Sequence, residues 1–262
     1  MDERKTAALE LGKHGPSCLV LHGFTGSPWD VQPLAEVLHE DGFHVRVPRL
    51  PGHGTTPEAM LSVRASDWRA ASEQALRSFP AGPVCVAGLS MGALLAVDLA
   101  ARFPQRVTSL ALLAPALEFQ GRTMAGLRWL RNTPLLEWLR PWVTKSGTDL
   151  EDARALAEAP ILPAFPIARL KDMWQLQDLV RESASRVRAP TLVVVAKQDH
   201  VVAETGARAL SAALTQASSV RYVEISKGFH ILPRDLGQLE TAAEVRTWFA
   251  NMQTSRAREK SA

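Results

Sequence analysis

The sequence predicts an α/β protein built on a doubly wound, mostly parallel sheet with an inserted helical cap. Strand-like apolar runs alternate with helix-like segments along most of the chain, and short connections between parallel strands favour right-handed crossovers. The alternation stops only between residues 115 and 185, where helix-like fragments are interrupted by prolines. We therefore expect a core domain of residues 1–114 and 186–262, with residues 115–185 forming the cap.

Each element is predicted from its own local pattern. Continuous apolar runs typical of buried parallel strands predict the strands, and amphipathic segments ended by glycine or proline predict the helices. Ser66 is the predicted N-cap of the second helix. The strands are expected at 6–11, 17–22, 43–48, 84–87, 109–114, 191–196 and 219–225, and the helices at 30–40, 66–79, 93–101, 204–214 and 236–252.

A glycine-flanked serine joins one predicted strand to the helix after it. The segment reads Gly88-Leu89-Ser90-Met91-Gly92, with Val84 and Val86 before it and an Ala/Leu-rich helix after it. Glycines allow the strained turn that projects the serine Oγ above the sheet, beside the free N–H groups of a helix N-terminus. The alternative is a glycine-rich turn with an incidental serine. The strand before it and the helix after it favour a nucleophile.

A serine nucleophile needs a general base and an acid to orient that base, because its hydroxyl is a poor nucleophile at neutral pH. Both partners must follow strands, as Ser90 does. Histidines with that placement are His22, His53, His200 and His230. Asp199 directly follows an apolar strand, whereas Asp98 lies mid-helix and Asp178 lies in the cap. The resulting prediction is Ser90 as nucleophile, Asp199 as acid and His230 as base.

Several segments together resemble the α/β-hydrolases of the bacterial carboxylesterase and monoacylglycerol lipase type. They span nearly the whole chain and match least in the cap; they are Leu21–Pro28, Pro48–Thr55, Gly88–Gly92, Asp199–Val202 and His230 with Asp235. The resemblance implies ester hydrolysis, with the backbone N–H groups of Phe24 and Met91 forming the oxyanion hole. Phe229 departs from the family pattern, which has a small residue there, and a bulky ring beside His230 tilts the imidazole or walls the pocket.

Each polar residue of this site could have a structural role in place of a catalytic one. Asp199 is typical of a turn or N-cap residue, and His230 is typical of a solvent-exposed loop residue. His22 is expected to support the loop that follows it through hydrogen bonds, His53 to pack within its own loop, and His200 to face solvent. If Asp199 is not the acid, Asp235 is the nearest alternative.

Apolar side chains around these positions are the predicted substrate contacts. Phe24 and Met91 are expected to line the acyl pocket beside the oxyanion hole. The remaining predicted contacts are Phe119, Met124, Leu127, Trp129, Val201 and Ile231. The cap tryptophans, which are Trp129, Trp138, Trp142 and Trp174, have the alternative of forming the core of the cap itself.

Composition narrows the choice of partners. The net charge of +3 comes from scattered lysines and arginines, which predicts no nucleic-acid binding. No signal peptide or membrane-spanning segment is recognisable, and Cys18 and Cys85 in predicted buried strands suit reduced thiols, so a cytoplasmic location is expected. No cofactor or metal site is predicted, and the expected state is a monomer or homodimer acting on a small apolar ester.

Three kinds of function fit this pattern. The first is a serine carboxylesterase for short- to medium-chain esters, or a monoacylglycerol lipase for longer acyl chains. A second keeps the same three residues for carbon–carbon bond hydrolysis or cofactor-free perhydrolysis. The third is a ligand-binding module without turnover, which the filled catalytic positions disfavour.

Overall fold

The computed structural model describes residues 3–129, 131, 133, 141–145 and 147–261, with the backbone alone for 122–125 and 253–261. The strands are β1 (Leu9–Leu11), β2 (Ser17–Leu21), β3 (His44–Val47), β4 (Val84–Leu89), β5 (Val107–Leu113), β6 (Trp142–Thr144), β7 (Ala164–Pro166), β8 (Thr191–Ala196) and β9 (Val220–Ile225). The helices are α1 (Pro28–Glu40), α2 (Ala65–Arg77), α3 (Met91–Arg102), α4 (Arg122–Trp129), α5 (Ala153–Glu158), α6 (Ala168–Ser183), α7 (Glu204–Ala213) and α8 (Gln238–Ser261).

A seven-stranded sheet organises the fold, with the strand order β1-β3-β2-β4-β5-β8-β9. Strand β1 runs antiparallel to β3, and the other neighbouring strands run parallel. The predicted doubly wound, mostly parallel sheet is therefore confirmed. Because parallel strands end at the same edge of a sheet, the loops after β2, β4, β8 and β9 lie along one edge.

Helices cover the sheet in two groups. Helix α1 packs against α8, and α2 and α6 pack against α3. Every residue of β4 is buried, as is every residue of α3 from Met91 to Ala100. A helix buried all round lies at the centre of a domain, which explains why its sequence shows no polar face.

The chain between β5 and β8 leaves the sheet and returns to it. It contains α4, α5 and α6, and also a two-stranded antiparallel sheet in which Val143 of β6 pairs with Phe165 of β7. Sequence analysis missed this sheet, because strands of three residues are too short to show an alternating pattern. A second hydrophobic core lies here, formed by Met60, Leu162, Phe165, Ile167, Leu170 and Trp174. The limits of the cap, 115–185, remain a prediction.

Among the helix ends that differ from the prediction are the start of α2 and the end of α8. Helix α2 begins at Ala65 with Arg64 as its N-cap, so the prediction of Ser66 as N-cap is wrong. Asp67 decides the start, because its Oδ2 accepts the Arg64 N–H at 2.7 Å and satisfies a donor at the first turn. Helix α8 continues to Ser261, beyond the predicted end at residue 252.

Candidate active site

Ser90 stands in a strained turn between β4 and α3. Its φ of 57° lies in the left-handed region that side chains disfavour, and its N–H donates to the Leu113 carbonyl at 2.8 Å. The two glycines of the turn are needed for close approach. A Cβ on Gly88 would lie 2.2 Å from the Gly92 carbonyl oxygen, and one on Gly92 would lie 2.2 Å from the Leu21 carbonyl oxygen. This packing fixes a serine at the apex, only 6% exposed.

Asp199 and His230 lie at the ends of the neighbouring strands β8 and β9 and contact each other. His230 Nδ1 lies 2.7 Å from Asp199 Oδ2, and the other carboxylate oxygen accepts the N–H groups of Val201 and Val202 at 2.8 Å each. Burial opposes ionisation of Asp199, yet His230 and the two N–H groups hold its pKa below the usual value. An ionised carboxylate only accepts, so His230 carries a proton on Nδ1, and in the neutral form of the ring Nε2 is then the acceptor.

The loop after β2 lies directly beside the serine. A Cβ on Gly23 would lie 3.2 Å from Ser90 Cβ, so Phe24, the next residue, follows a point of close approach to Ser90. His22 supports this loop as expected: its Nδ1–H donates to the Gly23 carbonyl at 3.0 Å, and its Nε2 accepts the Leu50 N–H at 3.0 Å. Burial lowers the pKa of His22 from 6.5 to about 3, so the ring is neutral and structural.

His53, His200 and Phe229 lie near the site but have different surroundings. His53 is buried and donates from Nδ1 to the Pro51 carbonyl at 2.9 Å. The side chain of His200 is 58% exposed. Phe229 packs edge-on against the His200 ring, with centroids 4.5 Å apart, and is not among the described residues that line the cavity. The bulky ring is therefore turned away from the pocket.

A cavity of about 350 Å³ opens in front of Ser90. His230 lines it together with four of the predicted substrate contacts, Phe24, Phe119, Val201 and Ile231. Its apolar walls also include Leu89, Ile161, Phe165 and Leu170. Ligand sites of this kind combine mostly apolar walls with a few polar groups, and this volume is near the small end of their range.

The other predicted substrate contacts lie elsewhere. The prediction for Trp129 is wrong, because it lies at the end of α4 with its side chain 89% exposed. The Met91 side chain is fully buried in the main core, and Leu127 packs against the second core, so neither lines the cavity. Met124 lies in α4, but its side chain is outside the described residues.

A polar corner of the cavity, which the sequence does not predict, is formed by Thr25, Asp30 and Lys145. Lys145 follows β6, and its Nζ donates to Thr25 Oγ1 at 2.7 Å. Burial raises the pKa of Asp30 from 3.8 to about 6 and lowers that of Lys145, with Asp30 opposing the latter shift. The only local signal was the place of Asp30 in the first turn of α1, which indicates a capping role and no contact with Lys145.

Asp235, the alternative acid, is engaged with backbone donors. Its carboxylate accepts the N–H groups of Glu151, Asp152, Phe229 and Leu236 at distances from 2.7 to 3.1 Å. It is fully buried. The carboxylate that contacts the His230 ring is thus Asp199, and Asp235 joins the inserted segment to the loop before His230.

Two features are absent from the described residues. These residues contain no group of three or more histidine, cysteine or acidic side chains arranged for a metal ion. Among the same residues, no helix combines the length and apolar character needed to cross a membrane.

Residues 12–237 match the Hydrolase_4 family model, described as serine aminopeptidase, S33. The chain belongs to this family. A thermostable monoacylglycerol lipase of Bacillus sp. (strain H-257) is 28% identical over 231 residues, covering 86% of this chain and 87% of the lipase. A carboxylesterase of Bacillus subtilis (strain 168) is 27% identical over 192 residues, covering 70% of this chain and 72% of that protein.

Solved structures agree with this assignment. A structure from work on LipS and LipT, two metagenome-derived lipolytic enzymes, superposes with a TM-score of 0.83 at 25% identity, covering 95% of this chain and 98% of that one. The monoacylglycerol lipase of Paleococcus ferrophilus has a TM-score of 0.76 at 18% identity, over 94% of this chain and 98% of the lipase, and supports the fold alone. The chain is a serine hydrolase of the α/β-hydrolase superfamily, among relatives that are carboxylic ester hydrolases.

Proposed function

We propose that this family member is a serine carboxylesterase that hydrolyses short- to medium-chain esters through an acyl-enzyme intermediate. The observation that carries the proposal is the 2.7 Å contact between His230 Nδ1 and Asp199 Oδ2, with His230 and the strained Ser90 lining the same cavity. A serine, a histidine and an ionised acid that follow strands ending at one edge of the sheet suit acyl transfer.

The proposed reaction begins at Ser90. Its Oγ attacks the ester carbonyl while His230 Nε2 takes the proton, and Asp199 holds the Nδ1–H tautomer and stabilises the imidazolium. The tetrahedral oxyanion is bound by the backbone N–H groups of Phe24 and Met91, the second of which opens α3. His230 then protonates the leaving alcohol. A water molecule attacks the acyl-enzyme while His230 takes its proton, and His230 returns this proton to Ser90 Oγ as the carboxylic acid leaves.

The walls of the cavity support the choice of substrate. Phe24, Phe119, Val201 and Ile231 suit an uncharged apolar acyl group, and the volume of about 350 Å³ favours a short or medium chain. The polar corner at Lys145 favours one alternative, a monoacylglycerol, because the free hydroxyls of glycerol both donate and accept hydrogen bonds. We further propose residues 115–185 as the cap, a cytoplasmic location, and a monomer or homodimer, each supported by the sequence pattern alone.

The test is hydrolysis of p-nitrophenyl esters from acetate to palmitate by the wild-type protein and by Ser90→Ala. We expect the rate to peak at short or medium chains and to fall by roughly a thousandfold or more in Ser90→Ala. Asp199→Asn should lose on the order of 10⁴-fold in kcat, because the amide favours the wrong imidazole tautomer. Ser66→Ala is the matched control, since Ser66 is exposed on α2.

Each departure from this outcome has a distinct meaning. A peak at long chains, or a strong preference for monoacylglycerols, would replace the carboxylesterase by a monoacylglycerol lipase. Aminoacyl p-nitroanilides run alongside test the peptidase activity named in the family description. Activity retained by pure Ser90→Ala would contradict the assignment of the nucleophile.

A further inference from the structure

We propose that Asp149, a residue of the inserted segment, is a positioning residue that holds the loop of the acid and the loop of the base together. This inference rests on the proposed roles of Asp199 and His230. Asp149 Oδ2 accepts the backbone N–H of His200 and the backbone N–H of His230, both at 3.1 Å. Its Oδ1 lies 2.8 Å from His200 Nδ1.

The two N–H groups belong to different loops. His200 follows Asp199 directly after β8, and His230 lies in the loop after β9. Asp199 and His230 are joined through their side chains, while Asp149 joins the main chains of the same two loops through a single oxygen. Hydrogen bonds to a charged acceptor are stronger than neutral ones, and a carboxylate only 15% exposed is little screened by solvent.

Neighbouring contacts hold Asp149 in place. The next residue, Leu150, is buried in the main core, and Glu151 Oε2 accepts the Gly228 N–H at 2.7 Å. Asp235 accepts the N–H groups of Glu151 and Asp152. The inserted segment is therefore fixed to the histidine loop through residues next to Asp149, so its carboxylate has little freedom to follow a displaced His230.

If Asp149 is a positioning residue, its substitutions should differ according to whether they keep the acceptor oxygen in place. The amide introduced by Asp149→Asn keeps a carbonyl oxygen that accepts both N–H groups, whereas Asp149→Ala leaves both without that partner. The longer side chain introduced by Asp149→Glu keeps the charge but moves the acceptor. Since a displacement of about 1 Å in a catalytic group costs up to 10²-fold in rate, geometry should govern kcat here more than charge.

The experiment compares Asp149→Asn, Asp149→Ala and Asp149→Glu with the wild-type protein, using p-nitrophenyl butyrate over a range of pH. We expect kcat to fall by roughly 10- to 100-fold in D149A and D149E, with KM within about threefold of wild type. In D149N, kcat should remain within about threefold of wild type. D149N and D149A both lose the charge, so a loss of kcat that appears in D149A and not in D149N reports the lost acceptor and not the lost charge.

Asp152→Ala is the matched control. Asp152 lies in the same segment, but its carboxylate accepts the Arg154 and Ala155 N–H groups at the start of α5. This variant should weaken the segment without changing kcat. Thermal unfolding of every variant reports folding, and D149E keeps the test valid if D149A does not fold. Asp199 and Asp30 are charged groups that interact with His230, and both are unchanged in every variant.

Wild-type kcat in D149A or D149E would overturn the inference. So would equal losses in D149N and D149A, which would assign the effect to charge, or a loss confined to KM, which would assign it to substrate binding. The proposed function is tested separately: if Ser90→Ala is inactive and D149A is normal, only the positioning role of Asp149 is wrong.

Discussion

The two sides of the candidate site are held in place by different physical means. On the side of β2 and β4, Ser90 and the loop at Phe24 are fixed by close backbone packing around glycines. On the side of β8 and β9, Asp199 and His230 are fixed by carboxylates that accept backbone N–H groups, several of them across the boundary with the inserted segment.

The pKa shifts of the buried ionisable groups also differ between the two sides. Near the β2 loop, burial is the largest influence, so His22 and His53 have lowered pKa values and Asp30 has a raised one. Near β8 and β9, the hydrogen-bond partners of Asp199 outweigh its burial and lower its pKa. The first side should therefore lose stability when side-chain volume is added and, through His22 and His53, when the pH falls. The second side should lose stability when any one of its acceptors is removed.

Gly92→Ala is the largest expected effect and tests the close packing. The added Cβ would lie 2.2 Å from the Leu21 carbonyl oxygen and 2.8 Å from that of His22, and backbone atoms cannot rotate away. We expect a loss of at least about 3 kcal/mol or no folded protein, measured by denaturant unfolding. Gly126→Ala, in α4 with open space around it, should be neutral or stabilising. Unchanged stability in Gly92→Ala would show that the turn does not depend on close packing.

Acid unfolding tests the electrostatic difference. The pKa of His22 falls from 6.5 to about 3, and that of His53 to about 4, when the protein folds. Because the unfolded chain binds these protons more readily, stability is fully present above pH 6.5 and is lost as the pH falls towards 4. At about pH 4.5 the loss should be on the order of 2 kcal/mol for each histidine, measured by urea unfolding across this range.

A substitution isolates the contribution of one ring. His53→Gln should reduce the loss of stability between pH 7 and about pH 4.5, since an amide takes up no proton. His14→Gln, at an exposed histidine, is the matched control. An unaltered slope in His53→Gln would mean that His53 titrates alike in the folded and unfolded chains.

Asp235→Asn tests the acceptors of the second side. The amide keeps one acceptor oxygen and turns an NH₂ group towards donors that the carboxylate now binds. We expect a loss of roughly 3 kcal/mol in thermal or denaturant unfolding, because buried N–H groups remain unpaired. Glu240→Gln, an exposed carboxylate in the first turn of α8, should change stability little. A fully folded Asp235→Asn that is catalytically inactive would instead make Asp235 part of the reaction.

The difference between the two sides also explains which parts of the site can be predicted from the sequence. The turn at Ser90 and the loop at Phe24 are encoded by neighbouring residues, mainly glycines next to apolar strands, so a local pattern identifies them. The acceptor role of Asp149 needs a contact over 81 residues with His230, and no spacing rule encodes such a distance. Trp129 was misplaced for a related reason: the face that a short helix turns to solvent is set by packing of the insertion and not by its own sequence.

Asp30→Asn has the smallest expected effect and shows how burial acts on the first side. Burial raises the pKa of Asp30 from 3.8 to about 6, so the folded protein binds this proton more tightly than the unfolded chain does. The stability that follows is fully present below about pH 4 and is lost as the pH rises through 6. The amide introduced by this substitution stays neutral, and its carbonyl oxygen can still accept the Ser27 N–H that Asp30 Oδ2 accepts at 3.1 Å.

Asp30→Asn should therefore stabilise the protein by about 1 kcal/mol at pH 8 and by much less near pH 4, measured as the difference in unfolding free energy from wild type at each pH. Glu36→Gln, at an exposed carboxylate of the same helix, is the matched control. A destabilised Asp30→Asn at pH 8 would mean that the attraction of Lys145 exceeds the cost of burying the carboxylate, and the first side of the site would then depend on its partners as the second side does.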